Sequence, residues 1–497
     1  MIRKNRENGI LFPISSLPGN YGIGSLGKNA FDFVDFLDEC KVNVWQILPL
    51  NVTSYGDSPY QSPSSNGLNY YFIDLDVLIT KGLLTKDDVE NINFGDDERR
   101  VNYELLFNNR VKVLKKAFSR FDKTNPDFIR FCEEGKYHDF AFFMAMKELH
   151  GFAPWYQWNE REYSYDIEKK VINGHQDIYL FYLWTQFEFL EEYHALKDYA
   201  NKKNIRIMGD MPLYLALDSV EAYKYPELFK FDEKHNPTIV AGCPPDYFNA
   251  DGQLWGNPIY DWEYMKKTNY SWWDKRIKNN LELFDILRID HFRGIAAYYT
   301  IPYGSVNARV GEWVKGPGMD LFEGKEDLPI IAEDLGFIDD MVRELLLKSG
   351  YPGMKVLEFA FDGSHDNEHK PSEAKYNYVC YTGTHDNDTI KGYLDSLSEK
   401  DLAVFKEDLK KQCDLFAVEY HDESNIEITK TVDRLCYASP CRLSILPFAD
   451  IVCFGSEARL NVPAVLSGKN WTFRYLWSDF TKEAKEFLKG AIETYNR

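Results

Sequence analysis

Four residues that could take part in chemistry stand close together at Arg288, Asp290, His291 and Arg293. They fall at the end of an apolar run, residues 285–291, whose composition predicts a buried strand. Strand side chains alternate between faces, so Arg288 and Asp290 are expected to point the same way. A guanidinium beside a carboxylate favours the ionised form that a nucleophile or a metal ligand needs. A structural ion pair at a strand end explains these residues alone equally well.

Acidic residues or histidines recur at the ends of other predicted strands. They are Asp210 after 205–212, Glu333 after 329–336, and His385 with Asp386 after 378–387. A structural ion pair has no reason to recur at the same end of four strands. The repetition therefore favours a shared functional site over an isolated ion pair.

The elements that would position these residues alternate between strand and helix. Eight apolar segments read as strands, at 9–14, 42–50, 205–212, 285–291, 329–336, 353–361, 378–387 and 442–448. The first two flank a helical pattern, which makes a βαβ unit with a parallel sheet and a right-handed crossover. Eight such strands predict an α/β fold, a closed (β/α)8 barrel, whose active site lies at the C-terminal ends of the strands.

Long segments interrupt the barrel pattern. We interpret residues 1–497 as a single catalytic barrel domain, with a mainly helical insertion subdomain at 51–204 and a further loop insertion at 212–284 that covers the active-site cleft. Helical spacing is clearest at 138–146 and 177–199. After the last predicted strand the chain has a terminal helix at about 479–495, and we expect no C-terminal β-sandwich domain.

Composition narrows the class of partner. The net charge of −20 argues against nucleic acids and anionic membranes, and no apolar run reaches the roughly 18 residues of a membrane helix. The eight cysteines include no C-x-x-C pair and no zinc spacing, which predicts a cytoplasmic protein. We expect a monomer, with a homodimer as the alternative.

Two chemistries use several carboxylates at one barrel mouth. One is a divalent metal site with oxygen ligands, and the other is glycoside chemistry, in which one carboxylate is ionised and a second has a raised pKa. Arg288 favours the second, because a cation beside the carboxylates would repel a metal. Aromatic residues in the loops at 55–60 and 247–255 suit the apolar faces of sugars. Residues 22–24 lack the third glycine of a dinucleotide fingerprint, and we expect neither a metal nor a cofactor.

An ordered set of motifs resembles one family along nearly the whole chain. The motifs are Ser-Tyr-Gly-Asp-Ser-Pro-Tyr-Gln-Ser at 54–62, Gly-Asp-Met-Pro at 209–212, Pro-Pro-Asp-Tyr-Phe at 244–248, Leu-Trp-Gly-Asn-Pro at 254–258, Arg-Ile-Asp-His-Phe-Arg-Gly at 288–294, Trp-Val-Lys-Gly-Pro-Gly at 313–318, Ala-Glu-Asp-Leu-Gly at 332–336, Thr-Gly-Thr-His-Asp-Asn-Asp-Thr at 382–389 and Ser-Glu-Ala-Arg-Leu-Asn-Val-Pro at 456–463. In this order they resemble glycoside hydrolase family 77. Its members are the 4-α-glucanotransferases, also called amylomaltases or disproportionating enzymes, which are relatives of the α-amylases.

The resemblance implies a role for each matching position. Asp290 would be the nucleophile, Glu333 the general acid/base, and Asp386 a ligand of the sugar hydroxyls that supports the transition state. The implied substrate-binding residues are Tyr60, Asp210, Asp246, Phe248, Trp255, Asn257, Arg288, His291 and His385. Maltooligosaccharides and α-1,4-glucans would be the substrates, and the reaction a retaining transfer through a glycosyl-Asp290 intermediate.

Three other functions are weighed against this one. A hydrolase of the α-amylase superfamily is the main alternative, but such enzymes usually carry a separate C-terminal β-domain. A carbohydrate-binding or storage protein on a degenerate barrel is disfavoured because all three carboxylates are present. A barrel metalloenzyme is disfavoured by Arg288.

Overall fold

The computed structural model describes residues 6–245 and 250–497, and in these residues twelve strands form two sheets. The strands are β1 (Glu7–Leu11), β2 (Val44–Gln46), β3 (Arg206–Met211), β4 (Ile239–Cys243), β5 (Gln253–Pro258), β6 (Ile286–Ile289), β7 (Ala297–Pro302), β8 (Glu312–Lys315), β9 (Ile330–Ala332), β10 (Gly353–Val356), β11 (Tyr378–Tyr381) and β12 (Leu443–Pro447). Eight of them form a parallel sheet in the order β10-β11-β12-β1-β2-β3-β6-β9.

The parallel sheet curls into a nearly closed barrel. Its two end strands approach each other, and the backbone N–H of Ala332, in β9, donates to the carbonyl of Pro352, just before β10, at 2.9 Å. Each of the eight predicted strand segments overlaps one barrel strand, so the predicted (β/α)8 fold is confirmed. The apolar runs are continuous because barrel strands are covered on both faces.

Strand register brings the ionisable residues to one end of the barrel. Asp210 in β3 pairs with Arg288 in β6, and Ile289 in β6 pairs with Ala332 in β9. Asp290 and Glu333 each follow one of these paired residues directly, so both leave the barrel at its C-terminal mouth. Parallel pairing therefore places residues that are far apart in the chain side by side.

Helices fill the interval between β2 and β3. Helix α1 (Lys28–Glu39) precedes β2, and the interval itself holds α2 (Leu75–Thr80), α3 (Tyr103–Leu105), α4 (Val111–Arg120), α5 (Pro126–Glu134), α6 (His138–Leu149), α7 (Tyr165–Gly174) and α8 (Gln176–Lys202). Helices α6 and α8 contain the two helical segments that sequence spacing indicates. Helix α8 buries Phe181, Trp184, Phe189 and Tyr193, which anchors the interval to the barrel core.

The second sheet is absent from the sequence prediction. Strands β4, β5, β7 and β8 form an antiparallel sheet in the order β5-β4-β7-β8. Two of these strands lie within 212–284 and two follow β6, so the sheet depends on contacts between distant segments. Glycines at 242 and 256 also weaken the strand signal of β4 and β5.

The remaining helices cover the barrel. They are α9 (Val220–Lys224), α10 (Trp262–Lys267), α11 (Ser271–Leu283), α12 (Arg293–Ala296), α13 (Asp340–Ser349), α14 (Ile390–Ser396), α15 (Glu399–Phe416), α16 (Asn425–Ala438), α17 (Phe448–Ile451) and α18 (Lys482–Thr494). The terminal helix begins at Lys482 because the Thr481 side chain caps it, accepting from the N–H of Ala484. Within the described residues, no helix has the length and apolar character needed to cross a membrane.

Leu287 offers a test of how strongly the barrel depends on β6. It is fully buried, so Leu287→Ala should lower the free energy of unfolding by about 2–5 kcal/mol through lost burial and an unfilled cavity. Leu347→Ala, at an 83% exposed position on α13, should change it by less than about 0.5 kcal/mol. Urea unfolding followed by circular dichroism measures both. Equal effects would contradict the assignment of β6 to the core.

Candidate active site

A single guanidinium joins two carboxylates at the barrel mouth. Nη1 of Arg288 lies 2.5 Å from Oδ2 of Asp210 and 3.1 Å from Oδ1 of Asp290. The side chains of Arg288 and Asp210 are buried, whereas that of Asp290 is 28% exposed and faces the opening. The expected Arg288–Asp290 pair is thus present, but Asp210 is the closer partner of the guanidinium.

The charge of this group follows from its surroundings. Burial alone would lower the pKa of Arg288, but the carboxylates of Asp210 and Asp290 outweigh it and raise that pKa well above its usual value. Burial raises the pKa of Asp290, against the opposing effect of the Arg288 guanidinium, and nearby carboxylates including Glu333 raise it further. The sequence suggested that the Arg288 guanidinium alone holds Asp290 ionised. The structure shows that burial opposes this effect.

Glu333 is held by the backbone rather than by a cation. Its Oε2 accepts from the N–H of His291 and its Oε1 from the N–H of Leu335, each at 2.7 Å. Burial raises the pKa of Glu333, with Arg288 and the two N–H groups opposing. Asp290 and Glu333 titrate as a pair, because each charge disfavours the other. The direct contact of Arg288 with Asp290 favours the anion on Asp290 and the proton on Glu333.

Tyr60 and His385 form the neighbouring wall. Their rings stack with centroids 5.0 Å apart, and the Tyr60 hydroxyl donates to Oδ2 of Asp210 at 2.8 Å. Burial lowers the pKa of His385, which keeps its ring neutral at neutral pH. The ring of Trp471 packs beside that of Tyr60, with centroids 5.6 Å apart. The sequence did not mark Trp471 as part of the site.

Asp386 projects into the opening, with its side chain 45% exposed. Nδ2 of Asn461 donates to Oδ1 of Asp386, and Nη2 of Arg459 donates to its backbone carbonyl, both at 2.7 Å. The N–H of Asn461 also donates to the carbonyl of His385 at 3.1 Å. Arg459 and Asn461 belong to the 456–463 motif, and this motif is the signal that could have identified them.

Two buried carboxyl groups hold the 382–390 loop, which carries His385 and Asp386. Asp450 accepts from the hydroxyl of Thr382 at 2.7 Å and from the N–H of Ile390 at 2.8 Å, so it fastens both ends of the loop. Glu358 accepts from Nδ2 of Asn387 at 2.9 Å in its middle. No sequence motif marks Asp450 or Glu358, because both act on the loop from elsewhere in the chain.

His291 meets Glu333 through its backbone. The residue has a φ of 50°, in the left-handed region, and this conformation accompanies the N–H bond to Glu333. Its ring lies edge-on to Trp255, with centroids 4.8 Å apart. Burial lowers the pKa of His291 to about 3, so the ring is neutral.

The remaining predicted residues belong to the segment around β5. Asn257 is buried, and its amide donates to the carbonyl of Leu215 at 2.8 Å and accepts from Nε2 of Gln61 at 3.1 Å. Trp255 lies beside His291 at the mouth. Asp246 and Phe248 lie outside the described residues. The structure thus gathers Tyr60, Asp210, Trp255, Arg288, Asp290, His291, Glu333, His385 and Asp386 at one end of the barrel.

The arrangement suits one type of chemistry. In the described parts of the chain, no group of three or more His, Cys, Asp or Glu side chains has the arrangement of a metal site. Two interacting carboxyl groups, one beside a guanidinium and one beside backbone N–H groups, can instead serve as a nucleophile and an acid/base. A parallel barrel with such a pair at its C-terminal mouth, walled by aromatic rings, defines a glycoside-processing (β/α)8-barrel enzyme.

Comparison with known proteins narrows this class to one family. The model of the 4-alpha-glucanotransferase family, glycoside hydrolase family 77, matches residues 12–479, and the chain belongs to that family. It is 44% identical to a 4-alpha-glucanotransferase of Clostridium butyricum, over 97% of this chain and 99% of the relative. A relative of the same name from Streptococcus pneumoniae is 41% identical, over 99% of this chain and 98% of its own length.

Solved structures of similar proteins agree with this family assignment. An amylomaltase from Streptococcus agalactiae, in complex with acarbose, superimposes with a TM-score of 0.93 at 39% identity, covering 99% of this chain and all of that chain. An amylomaltase from Corynebacterium glutamicum shares the fold, with a TM-score of 0.80 at 18% identity, over 98% of this chain and 75% of that chain.

Asp450 should control activity although it lies away from the opening. Asp450→Ala removes the acceptor at both ends of the 382–390 loop, so the specific activity of the folded protein on a maltooligosaccharide should fall at least about tenfold. Asp450→Asn keeps one acceptor oxygen and should lose less. Lost buried hydrogen bonds should also cost stability, about 1–3 kcal/mol each.

Asp408→Ala provides the matched control. Asp408 is also buried and accepts hydrogen bonds from Gly363, Lys370 and Lys411, but it anchors a different loop. This variant should lose stability while keeping the specific activity of its folded fraction. If both alanine variants lowered specific activity equally, Asp450 would have no particular role in positioning the 382–390 loop.

Glu358 should make stability depend on pH. Burial raises its pKa from the ordinary 4.5 to about 8, so between these values the native state binds a proton that the unfolded chain releases. The contribution of protonated Glu358 to the free energy of unfolding is therefore complete below the pKa of the unfolded chain. It is lost as the pH rises through the native pKa of about 8. Glu358→Gln should therefore flatten the fall of unfolding free energy between about pH 5 and pH 8. Urea titrations across this range measure it, and identical slopes in both proteins would contradict the assignment.

Proposed function

We propose that this chain is a 4-α-glucanotransferase that transfers a segment of a 1,4-α-D-glucan to the 4-hydroxyl of an acceptor glucose or glucan. One observation carries the proposal: Asp290, Glu333 and Asp386 share one barrel mouth, with Arg288 in contact with Asp290. Family membership points the same way, and the amylomaltase relative from Streptococcus agalactiae has been solved with acarbose.

The first step breaks the glycosidic bond. Glu333 donates its proton to the glycosidic oxygen while Oδ1 or Oδ2 of Asp290 attacks the anomeric carbon, and the reducing-end part of the donor leaves with that proton. Arg288 stabilises the Asp290 anion before attack. Asp386, oriented by Asn461, hydrogen-bonds the hydroxyls of the sugar as its ring flattens in the transition state.

The second step transfers the glycosyl group. Glu333, now ionised, takes the proton of an acceptor 4-hydroxyl, whose oxygen attacks the anomeric carbon and releases Asp290. The N–H groups of His291 and Leu335 stabilise this ionised form of Glu333. The same carboxyl thus serves as acid and then base, and the anomeric configuration is retained.

Transfer requires that a sugar hydroxyl compete with water. The ring of Trp255 contacts the ring of His291, and the backbone N–H of His291 bonds Glu333, so we infer that the acceptor enters beside these two residues. A sugar stacked there would exclude water from the glycosyl-enzyme. Hydrolysis by an α-amylase relative is the alternative, and family membership favours transfer.

Three wider features belong to the same proposal. We infer one catalytic barrel domain at 1–497, with insertions at 51–204 and 212–284 that shape the cleft. The charge of −20 and the cysteine spacing support a cytoplasmic enzyme that acts as a monomer on maltooligosaccharides and α-1,4-glucans. The same charge opposes nucleic acids and anionic membranes as partners.

Maltotriose separates the candidate functions. Incubated with the protein and chromatographed, it should give glucose together with a ladder of longer oligosaccharides, because each transfer lengthens an acceptor. Only shorter products would identify a hydrolase, and no products would identify a binding protein. Either result would overturn the proposal.

The nucleophile can be tested in the same assay. Asp290→Asn cannot form the glycosyl ester and should lower kcat by at least about 1,000-fold. Asp366→Asn, at a 94% exposed carboxyl, should retain the wild-type rate. Full activity of Asp290→Asn would refute its role.

A further inference from the structure

Asp334 follows the proposed acid/base Glu333 directly and lies in the Ala-Glu-Asp-Leu-Gly motif at 332–336, but the proposed mechanism gives it no role. Its side chain is buried, and its Oδ1 accepts from the N–H of Met354, in β10, at 2.6 Å. Because a buried carboxyl group that accepts from the backbone of another strand is fixed in place, Asp334 ties the chain beside Glu333 to β10.

This contact lies at the seam of the barrel. Strands β9 and β10 are the two ends of the eight-stranded order, and in the described parts of the chain no ladder of paired residues joins them. The N–H of Ala332 donates to the carbonyl of Pro352 at 2.9 Å. A regular parallel ladder would continue with the N–H of Met354 donating to the carbonyl of Ala332. The carboxyl group of Asp334 accepts from that N–H instead, so a side chain replaces the backbone at this point of the seam.

The residue opposite Asp334 leaves room for the carboxyl group. A Cβ atom added at Gly353 would lie 2.5 Å from Oδ2 of Asp334 and 2.9 Å from its Oδ1. These distances are too short for a methyl group, so the carboxyl group packs against backbone that glycine leaves uncovered. Gly353 and Met354 together therefore define the position of the Asp334 side chain.

The chain around Glu333 is held from two sides. On the β6 side, its N–H donates to the carbonyl of Ile289 at 3.1 Å, and its carbonyl accepts from the N–H of Phe292 at 3.0 Å. On the β10 side, the two residues that flank it, Ala332 and Asp334, make the seam contacts. Loss of the Asp334 carboxyl group would release the segment on the β10 side while its β6 side stayed attached.

The same segment determines where the Glu333 carboxyl group points. Its Oε1 accepts from the N–H of Leu335, the residue that follows Asp334. A shift of residues 334–335 would therefore move the backbone of Glu333 and one of the two N–H groups that hold its carboxyl group. Such shifts are costly, because a displacement of about 1 Å can lower the rate of a reaction about 100-fold.

The charge of Asp334 matters less than its acceptor oxygen. Burial raises the pKa of Asp334 to about 7, against the opposing effects of the Met354 N–H and of Lys355, and the charge of Glu333 raises it further. Both the protonated and the ionised carboxyl group have an oxygen that can accept from Met354. Asparagine keeps such an oxygen and is therefore a conservative replacement for Asp334.

We propose that Asp334 is a positioning residue for Glu333. By accepting from the N–H of Met354 across the barrel seam, it fixes the segment that carries the acid/base. The inference rests on the proposed function, because Glu333 is the acid/base of that reaction. Since the groups proposed to bind the sugar are not altered, loss of the contact lowers kcat and leaves KM nearly unchanged.

The kinetics of maltotriose conversion test this role. Asp334→Ala should lower kcat about 10- to 100-fold while KM changes less than about threefold. Asp334→Asn should restore most of kcat, because it keeps the acceptor oxygen. Asp408→Ala removes another buried carboxyl group that accepts from a backbone N–H, and it should retain the wild-type kcat per folded molecule. Circular dichroism measures the folded fraction of each variant.

Hydrogen exchange measured by mass spectrometry tests the same contact without turnover. In Asp334→Ala, the backbone N–H groups of residues 333–336 and of Met354 should exchange about 5- to 100-fold faster than in the wild type, the range for one lost buried hydrogen bond. In Asp334→Asn they should exchange within about threefold of the wild-type rate. The 382–390 loop, which Asp450 and Glu358 hold, should exchange at the same rate in all three proteins.

Each outcome has a distinct meaning. Unchanged exchange or unchanged kcat in Asp334→Ala would overturn the positioning role, and so would an Asp334→Asn variant as impaired as Asp334→Ala. Equal losses of kcat in Asp334→Ala and Asp408→Ala would also overturn it, because the effect would then be one of stability. If wild-type protein makes no longer products from maltotriose, the proposed transferase function fails, and the exchange rates still decide whether Asp334 fixes the segment that carries Glu333.

Discussion

The ion-paired group of Arg288, Asp210 and Asp290 is the constraint on which the site depends. One guanidinium nitrogen contacts both carboxylates, and two of the three side chains are buried at the top of the barrel. Removing Arg288 would leave the buried Asp210 carboxylate without its cation, which is far more costly than losing a surface ion pair. The geometry of the mouth is therefore fixed by electrostatics, and the neighbouring groups are arranged around it.

The two proposed catalytic carboxyls are supported in different ways. Asp290 depends on a cation, and Glu333 depends on two backbone N–H groups, one of which belongs to His291 in its left-handed conformation. Burial raises the pKa of both carboxyl groups, and the charge of one disfavours the charge of the other, so the two groups titrate together. Because the two carboxyl groups have different surroundings, one can act as an acid and the other as a nucleophile.

Asp386 depends on a further layer of contacts. Its loop is fastened by Asp450 at both ends and by Glu358 in the middle, and its side chain is oriented by Asn461. These supports come from three positions outside the loop itself. A site on loops can be as well ordered as one on strands when buried carboxyl groups accept the loop's own N–H and hydroxyl donors.

The sequence by itself determined the barrel, because parallel strands buried on both faces leave continuous apolar runs that alternate with helices. It also identified the residues at the strand ends, since side-chain alternation and strand polarity are local properties. Only the tertiary structure decided that Arg288 lies closer to Asp210 than to Asp290, that Glu333 is held by backbone N–H groups, and that Asp450 anchors a distant loop. The antiparallel sheet was decided in the same way. Each depends on contacts between residues far apart in the chain, and no local pattern records them.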